Sequence, residues 1–275
     1  MSEGQPLVSV CIPLYNAGAF IGATVDSVLR QTYPNWELII ADDMSTDGGW
    51  EIVLAYRDPR IRCFRNPQRL GAEGNWNGVI SAAKGEYVKL LCHDDLLAPE
   101  CLERQVAAFQ ADRSRGLALV CCARDIIDKD GRKTLRRRWV RKDARMEGKQ
   151  AVRETLRAGT NLIGEPSAVL FRLDDVSRVG LFDGGRQYGI DLDYWVRLLA
   201  LGDCYYLAAS LCSFRMSRQS WSSQLARHQN RQFREILLST WRSGSYGVTV
   251  LDVISGFIMC QIKGLLRRLW FHFHA

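Results

Sequence analysis

Val8-Ser9-Val10-Cys11-Ile12-Pro13-Leu14-Tyr15-Asn16 opens on a short apolar run rich in β-branched residues and leaves through a polar turn. The run from Leu7 to Ile12, broken at Pro13, reads as a buried first strand. Outward from it, strand and helix patterns alternate. Phe20–Arg30 carries Ile21, Val25, Val28 and Leu29 at helical spacing, and Trp36–Ala41 is a second strand. That strand exits through Asp42-Asp43-Met44-Ser45-Thr46-Asp47-Gly48. A helix is expected over Trp50–Tyr56, a strand over Ile61–Phe64, and a helix over Gly74–Lys84. Tyr87–Leu91 is a fourth strand ending at His93-Asp94-Asp95. Such alternation builds a mostly parallel α/β sheet flanked by helices.

The second half is less regular. Leu117–Ala123 reads as a strand, with a turn at Asp130-Gly131 and a basic run from Arg132 to Lys142. Helices are expected at Gln150–Ala158 and Asp191–Leu201, and strands at Ala168–Arg172 and Tyr205–Leu207. From Gln224 onward the pattern is helical. The expected organisation is one α/β domain over residues 1–222 with a helical extension over 223–275.

The bulk numbers exclude several classes. With 275 residues, 47% hydrophobic and 24% charged, the chain has globular composition. A net charge of +7 favours an anionic partner. Nine cysteines, an odd number with no Cys-x-x-Cys pair, argue against a disulfide scaffold or zinc knuckle. Met1–Pro6 is polar and lacks the plan of a signal peptide. A cytoplasmic location is therefore expected. No Gly-x-Gly-x-x-Gly follows the first strand, and neither a phosphate loop nor a Gly-x-Ser-x-Gly elbow occurs. An anion must be held here by metal and side chains.

In an open parallel sheet, ligands bind beyond the carboxyl ends of the strands. Three of the first four strands end in polar clusters: Pro13 to Asn16, Asp42-Asp43, and His93-Asp94-Asp95. Carboxylates gathered there need a cation or hydrogen-bond donors. Mg²⁺ and Mn²⁺ take a few carboxylates together with phosphate oxygens and water, so a diphosphate ligand suits the pattern. The alternative for each acidic pair is a helix cap.

These segments resemble the inverting family 2 glycosyltransferases of the GT-A fold. Val8–Asn16 looks like the family's opening strand and turn, Asp42–Gly48 like its Asp-Asp-x-Ser-x-Asp-Gly signature, and Gly85-Glu86-Tyr87 to Asp95 like the approach to its acidic metal motif. Asp191-Leu192-Asp193-Tyr194-Trp195-Val196-Arg197 is similar to its base-bearing segment. The resemblance runs from about Leu7 to about Ser222. It implies that Pro13, Tyr15 and Asp42 hold the nucleoside of a nucleotide-sugar donor, with Arg69 contacting the donor and Asp94 facing its sugar or ribose. It implies that Asp95 binds Mg²⁺ or Mn²⁺ and that Asp191 is the general base. Tyr15 as a packing residue, Arg69 as a surface cation and Asp191 as a helix-end carboxylate are the structural alternatives. Three departures stand out: Cys92, Ile190 and Ser217 occupy positions where the family often has Asp, Glu and His. Arg215, Arg218 and His228 are candidates to compensate for the last.

The implied partners are a nucleotide-sugar donor and a glycan or lipid-linked acceptor. The basic run is either a solvated loop, a nucleic-acid contact, or a contact to anionic lipid or a lipid-borne diphosphate. Nucleic acid is not expected, because it gives no reason for the acidic strand ends. Val248–Trp270 carries an apolar stripe, Ile254, Phe257, Ile258, Ile262, Leu265, Leu266, Leu269, but Asp252, Gln261 and Lys263 interrupt the stretch, which speaks against a spanning helix. Peripheral contact with the inner membrane face, packing on the catalytic domain and an oligomer contact all remain open for it. A non-catalytic nucleotide-sugar-binding relative is the main functional alternative.

Overall fold

A computed structural model describes residues 4–216 and 228–274, with side chains up to Leu266. The strands are β1 (Val8–Leu14), β2 (Trp36–Asp42), β3 (Ile61–Arg65), β4 (Tyr87–Leu90), β5 (Leu96–Leu97), β6 (Leu117–Ile127), β7 (Lys133–Arg137), β8 (Ala144–Met146), β9 (Val169–Arg172) and β10 (Asp203–Arg215). The helices are α1 (Ile21–Leu29), α2 (Gly49–Leu54), α3 (Gly71–Ser81), α4 (Cys101–Ala111), α5 (Gly148–Arg157), α6 (Leu173–Val179), α7 (Ile190–Leu198), α8 (Gln229–Ser243) and α9 (Val250–His274). The strands form one sheet in the order β3-β2-β1-β4-β9-β6-β10-β5, with β7 beside β6 and β8 beside β10. The first four are parallel neighbours. Antiparallel β9 joins that half to the β6–β10 parallel pair.

Both faces of the sheet are buried, and the pleat sorts the residues. Val10, Ile12, Leu38 and Ile40 pack against α1 and α4. Cys11, Ile39 and Ala41 face the opposite layer, with Trp76 of α3, Val152 of α5, Trp195 of α7 and Phe233 of α8. This is the period-2 alternation of a strand covered on both sides. The cysteines are free, most of them buried in these cores.

β1 runs through Pro13 instead of stopping before it. Pairing with β4 ends at Cys11↔Leu90, and Pro13 faces that open side, where its missing N–H deprives no neighbour. β10 is a strand of 13 residues, far longer than the expected Tyr205–Leu207. Register shifts around Leu207–Cys212 break its alternation, which hides it from periodicity. The first half of the basic run is strand β7, not loop. Lys133 and Arg136 pair with Asp125, and Arg137 with Glu165, so part of its charge is already answered. The extension is helical over α8 and α9. Its expected start at residue 223 lies outside the described residues, as do Ser217 and Arg218.

Candidate active site

The turns after β1 and β2 are knitted together. Asn16 and Met44 adopt left-handed φ of 46° and 65°. The Asn16 N–H donates to Ser45 Oγ (3.0 Å), and Asn16 Oδ1 accepts from the Thr46 N–H (2.9 Å). Asp47 Oδ2 accepts from the Gly18 N–H at 2.6 Å. These bonds fix the floor of a cavity of about 560 Å³ at the carboxyl ends of β1, β2 and β4.

Pro13, Tyr15, Asp43 and Arg69 line one wall. The Arg69 guanidinium sits over the Tyr15 ring, 4.3 Å from its centroid, a cation–π contact that holds both at the cavity. His93 Nδ1 lies 3.0 Å from the Pro13 carbonyl. A carbonyl only accepts, so Nδ1 carries the proton in this contact.

Two of the expected site residues stand inside the wall, and the other acidic residue of each pair lines the cavity. Asp42 does not line the cavity. It is fully buried, ion-paired with Arg65 Nε at 2.8 Å, and accepts from the Ser45 N–H. It shares the parity of Leu38 and Ile40, which places it on the α1 face. Its neighbour Asp43 lines the cavity and organises the segment carrying Arg69: it accepts from Asn66 Nδ2 (3.0 Å) and from the N–H groups of Leu70 (2.7 Å) and Gly71 (2.9 Å).

Asp95, expected as the metal ligand, stands inside the wall with no exposed surface. Its Oδ2 accepts from Ser167 Oγ at 2.5 Å and its Oδ1 from the Arg215 N–H at 2.9 Å. Burial, and then the charge of Asp94, hold its carboxyl above the usual carboxylate range. Asp94 is the carboxylate at the cavity: half-buried, lining it, and making no side-chain hydrogen bond or ion pair with any described residue. Arg215 fixes this turn. Its Nε donates to the Asp94 carbonyl (2.9 Å) and its Nη1 to the carbonyls of Asp128 (2.9 Å) and Lys129 (3.1 Å). Arg215 thus anchors the turn through Nε and Nη1 while still lining the cavity.

Asp191 lines the same cavity, from the first turn of α7. Its Oδ1 accepts from the Leu192 N–H (2.7 Å) and its Oδ2 from Asn161 Nδ2 (3.0 Å). Burial, reinforced by the charge of Glu165, pushes its pKa up to about 7; Leu192, Asn161 and Arg124 pull the other way. Asn161 is a positioning residue that the sequence did not announce. It is held by a reciprocal pair with Gly164, donating to its carbonyl (2.9 Å) and accepting from its N–H (3.0 Å). Gly164 has φ +125°, and a Cβ there would lie 2.8 Å from that of Ala168, so the loop needs glycine. Asp193, in the same first turn, is bonded to Arg186 (2.8 Å) and Arg197 (3.1 Å).

A central sheet covered by helices on both faces, with acidic turns at the carboxyl ends of its strands, matches the GT-A architecture. Residues 9–178 match the family described as glycosyl transferase family 2. The chain belongs to that family. It is 32% identical over 207 residues to an uncharacterized protein of Mycobacterium tuberculosis, covering 72% of this chain and 64% of that one. It is 40% identical over 107 residues to the Escherichia coli UDP-Glc:alpha-D-GlcNAc-diphosphoundecaprenol beta-1,3-glucosyltransferase WfaP, covering 39% and 43% of the two chains. In fold it is similar to Staphylococcus aureus TarS 1–349 in complex with UDP-GlcNAc (TM-score 0.65, 16% identity, 86% of this chain and 72% of that one). It is also similar to the Pyrobaculum calidifontis mannosyltransferase PcManGT in complex with GDP-Man and Mn²⁺ (TM-score 0.60, 16% identity, 98% and 88%). The chain spans less than two thirds of the length of the curated relatives it matches over most of its own length.

Proposed function

We propose that the protein transfers a sugar from a nucleoside-diphosphate sugar to a hydroxyl of a glycan or lipid-linked acceptor, with inversion and with a divalent metal. The observation that carries this reading is that Asp94, which has no side-chain partner among the described residues, and Asp191 line one cavity. WfaP, by its name, acts on a diphosphoundecaprenol-linked acceptor, and the PcManGT complex holds GDP-Man and Mn²⁺; both support the reading.

The donor set fits Mg²⁺ or Mn²⁺. No cluster of three His, Cys, Asp or Glu occurs among the described residues. One open carboxylate at a cavity suits an ion bound mainly through substrate phosphates and water. Asp94 would hold it, and when bound it would supply Lewis-acid stabilisation of the diphosphate leaving group. Asp43, rather than Asp42, is the acidic residue beside the nucleoside, with Pro13, Tyr15 and Arg69. Asp191 removes the acceptor proton as the new bond forms, while Asn161 and the Leu192 N–H hold its carboxylate in place. The sugar carbon passes through an oxocarbenium-like state, and a single displacement inverts it.

A screen of UDP-, GDP- and dTDP-sugars tests this reading. One nucleotide should raise Tm in a Mn²⁺-dependent way and its sugar donor should undergo slow hydrolysis. Absence of both for every donor defeats the reading.

The pH dependence follows from Asp191. It accepts a proton only when ionised, so kcat/KM should rise about tenfold per pH unit below about 7 and level off above. The stability sign is opposite. A carboxyl whose pKa is raised by folding contributes its stabilisation in full below pH 4, and that stabilisation is lost as pH rises through about 7. A flat kcat/KM profile between pH 5 and 8 removes Asp191 as base.

We also propose peripheral membrane contact through α9. Leu251, Ile254, Ile258, Ile262 and Leu265 form an exposed apolar stripe on it, up to 77% exposed at Leu251, with Lys263 beside them. No helix of the described residues is long and apolar enough to cross a membrane. Leu251→Asp with Ile258→Asp should abolish co-sedimentation with phosphatidylglycerol vesicles; undiminished co-sedimentation refutes the contact.

A further inference from the structure

We infer that Arg124 and Glu165 are positioning residues for the base: their ion pair ties the 161–165 loop to the sheet, and that loop presents Asn161 to the Asp191 carboxylate. This deepens the transfer reading and rests on its assignment of Asp191 as base.

Arg124 sits on β6, is only 2% exposed, and does not itself line the cavity. Its guanidinium works as a fork. Nε is ion-paired with Glu165, and Nη2 donates to the Asn161 carbonyl at 3.1 Å. The group lies against Gly164, where a Cβ would come 3.4 Å from Nη1. One arginine thus holds both ends of the loop. On its other side the loop is tied to α7. Asn161 Nδ2 donates to Asp191 Oδ2 (3.0 Å), and Trp195 Nε1 donates to the Gly164 carbonyl (2.9 Å). Asp191 and Trp195 are one helical turn apart, so both ties fall on one face of α7. A continuous chain of polar contacts therefore runs from β6 to the base.

A second guanidinium completes it. Arg137 of β7 stands opposite Arg124 in the antiparallel ladder, where like charges repel unless a carboxylate comes between them. Glu165 is that carboxylate, 3.5 Å from Arg137 through its other oxygen. Replacing a buried ion pair by apolar side chains is often neutral or stabilising, so stability alone does not account for one here. Glu165 also acts through its charge. It lines the same cavity as Asp191 and disfavours the ionised base, an effect that Arg124 partly offsets. The other titratable groups nearby are Arg137 and, beyond β4, Cys92, His93 and Asp94; α8 brings only the uncharged Gln229, Phe233 and Ile236.

The test follows Asp191 by nuclear magnetic resonance in the full chain with isotope-labelled aspartate, its carboxyl signal assigned by loss in Asp191→Asn. Glu165→Gln keeps the side chain's shape and an acceptor for Arg124 but removes the charge. The Asp191 midpoint should fall below that of the unsubstituted protein, and the rise of kcat/KM should move to lower pH with it. Arg124→Lys keeps a cation, but one ammonium cannot span both Glu165 and the Asn161 carbonyl. It should lose about tenfold or more in kcat and keep the donor's Mn²⁺-dependent thermal shift. Combined with Asn161→Ala, it should be no worse than Asn161→Ala alone, because the arginine acts through the asparagine.

An unmoved or raised midpoint in folded Glu165→Gln overturns the proposal. So does a double variant whose losses simply multiply. Should one of the two single variants fail to fold, the other decides. A midpoint that moves while kcat/KM keeps its profile brings down the base assignment, and the proposal with it. The resonance is read without turnover, so it tells that failure apart from failure of the positioning network alone.

Discussion

Asp191→Asn is expected to lower turnover by roughly 10²- to 10⁴-fold, the usual contribution of a positioned general base, while donor affinity stays unchanged. The amide keeps the size of the carboxylate, but the Leu192 N–H and Asn161 Nδ2 both donate, so it can accept only one of them and a stability loss of about 1–3 kcal/mol should accompany the change. What it lacks is the ability to take a proton near pH 7. The loss should fall on kcat rather than on the donor's KM, since the residue comes from α7 and not from the turns that carry Tyr15, Asp43 and Arg69. Measuring the Mn²⁺-dependent thermal shift by the donor alongside transfer separates the two effects. Comparable turnover by the variant takes position 191 out of the chemistry. A lost thermal shift with intact turnover per bound donor would recast it as a binding residue.

Asp94→Asn is the second large effect. A Lewis-acid metal supplies several kcal/mol of charge stabilisation, so losing its carboxylate should cost on the order of 10²-fold or more in kcat/KM and remove the Mn²⁺ dependence of donor binding. The informative control is its neighbour. Asp95→Ala leaves the Arg215 N–H and the Ser167 hydroxyl without their acceptor inside the wall, which should destabilise the fold by about 1–3 kcal/mol. Thermal melts without nucleotide should therefore fall for Asp95→Ala and stay level for Asp94→Asn. Both should be repeated with nucleotide and Mn²⁺. If Asp95→Ala melts normally and alone abolishes the metal response, the two roles are reversed.

The placement of the two acidic pairs follows from backbone direction in one case and from a long-range contact in the other. Sequence locates an Asp-Asp pair at a strand end, but consecutive side chains leave the backbone in opposite directions. Asp42 follows Leu38 and Ile40 onto the α1 face, whereas Asp43 turns to the cavity. Asp95 is drawn inward by a serine some seventy residues away, a contact no local pattern contains. The strands β1 to β4 were legible because their runs are short, apolar and punctuated. β10 was not, since its register shifts disturb the alternation, and β7 was concealed by its own charge. Asn161 carries no motif at all; its importance comes from Gly164 and Asp191, which only the folded chain brings to it. Arg137 was visible merely as one member of a basic run.

Helix α8 supplies Gln229, Phe233 and Ile236 to the cavity, and Phe233, Ile236 and Leu237 share a core with Trp195 of α7. A chain trimmed where the family match stops, at residue 178, would lose α7 and Asp191 outright. One trimmed just after β10 would keep them but strip the greasy seam on α7 of its cover and the cavity of three lining side chains, so efforts to shorten this protein for crystallisation or engineering should keep α8 in place.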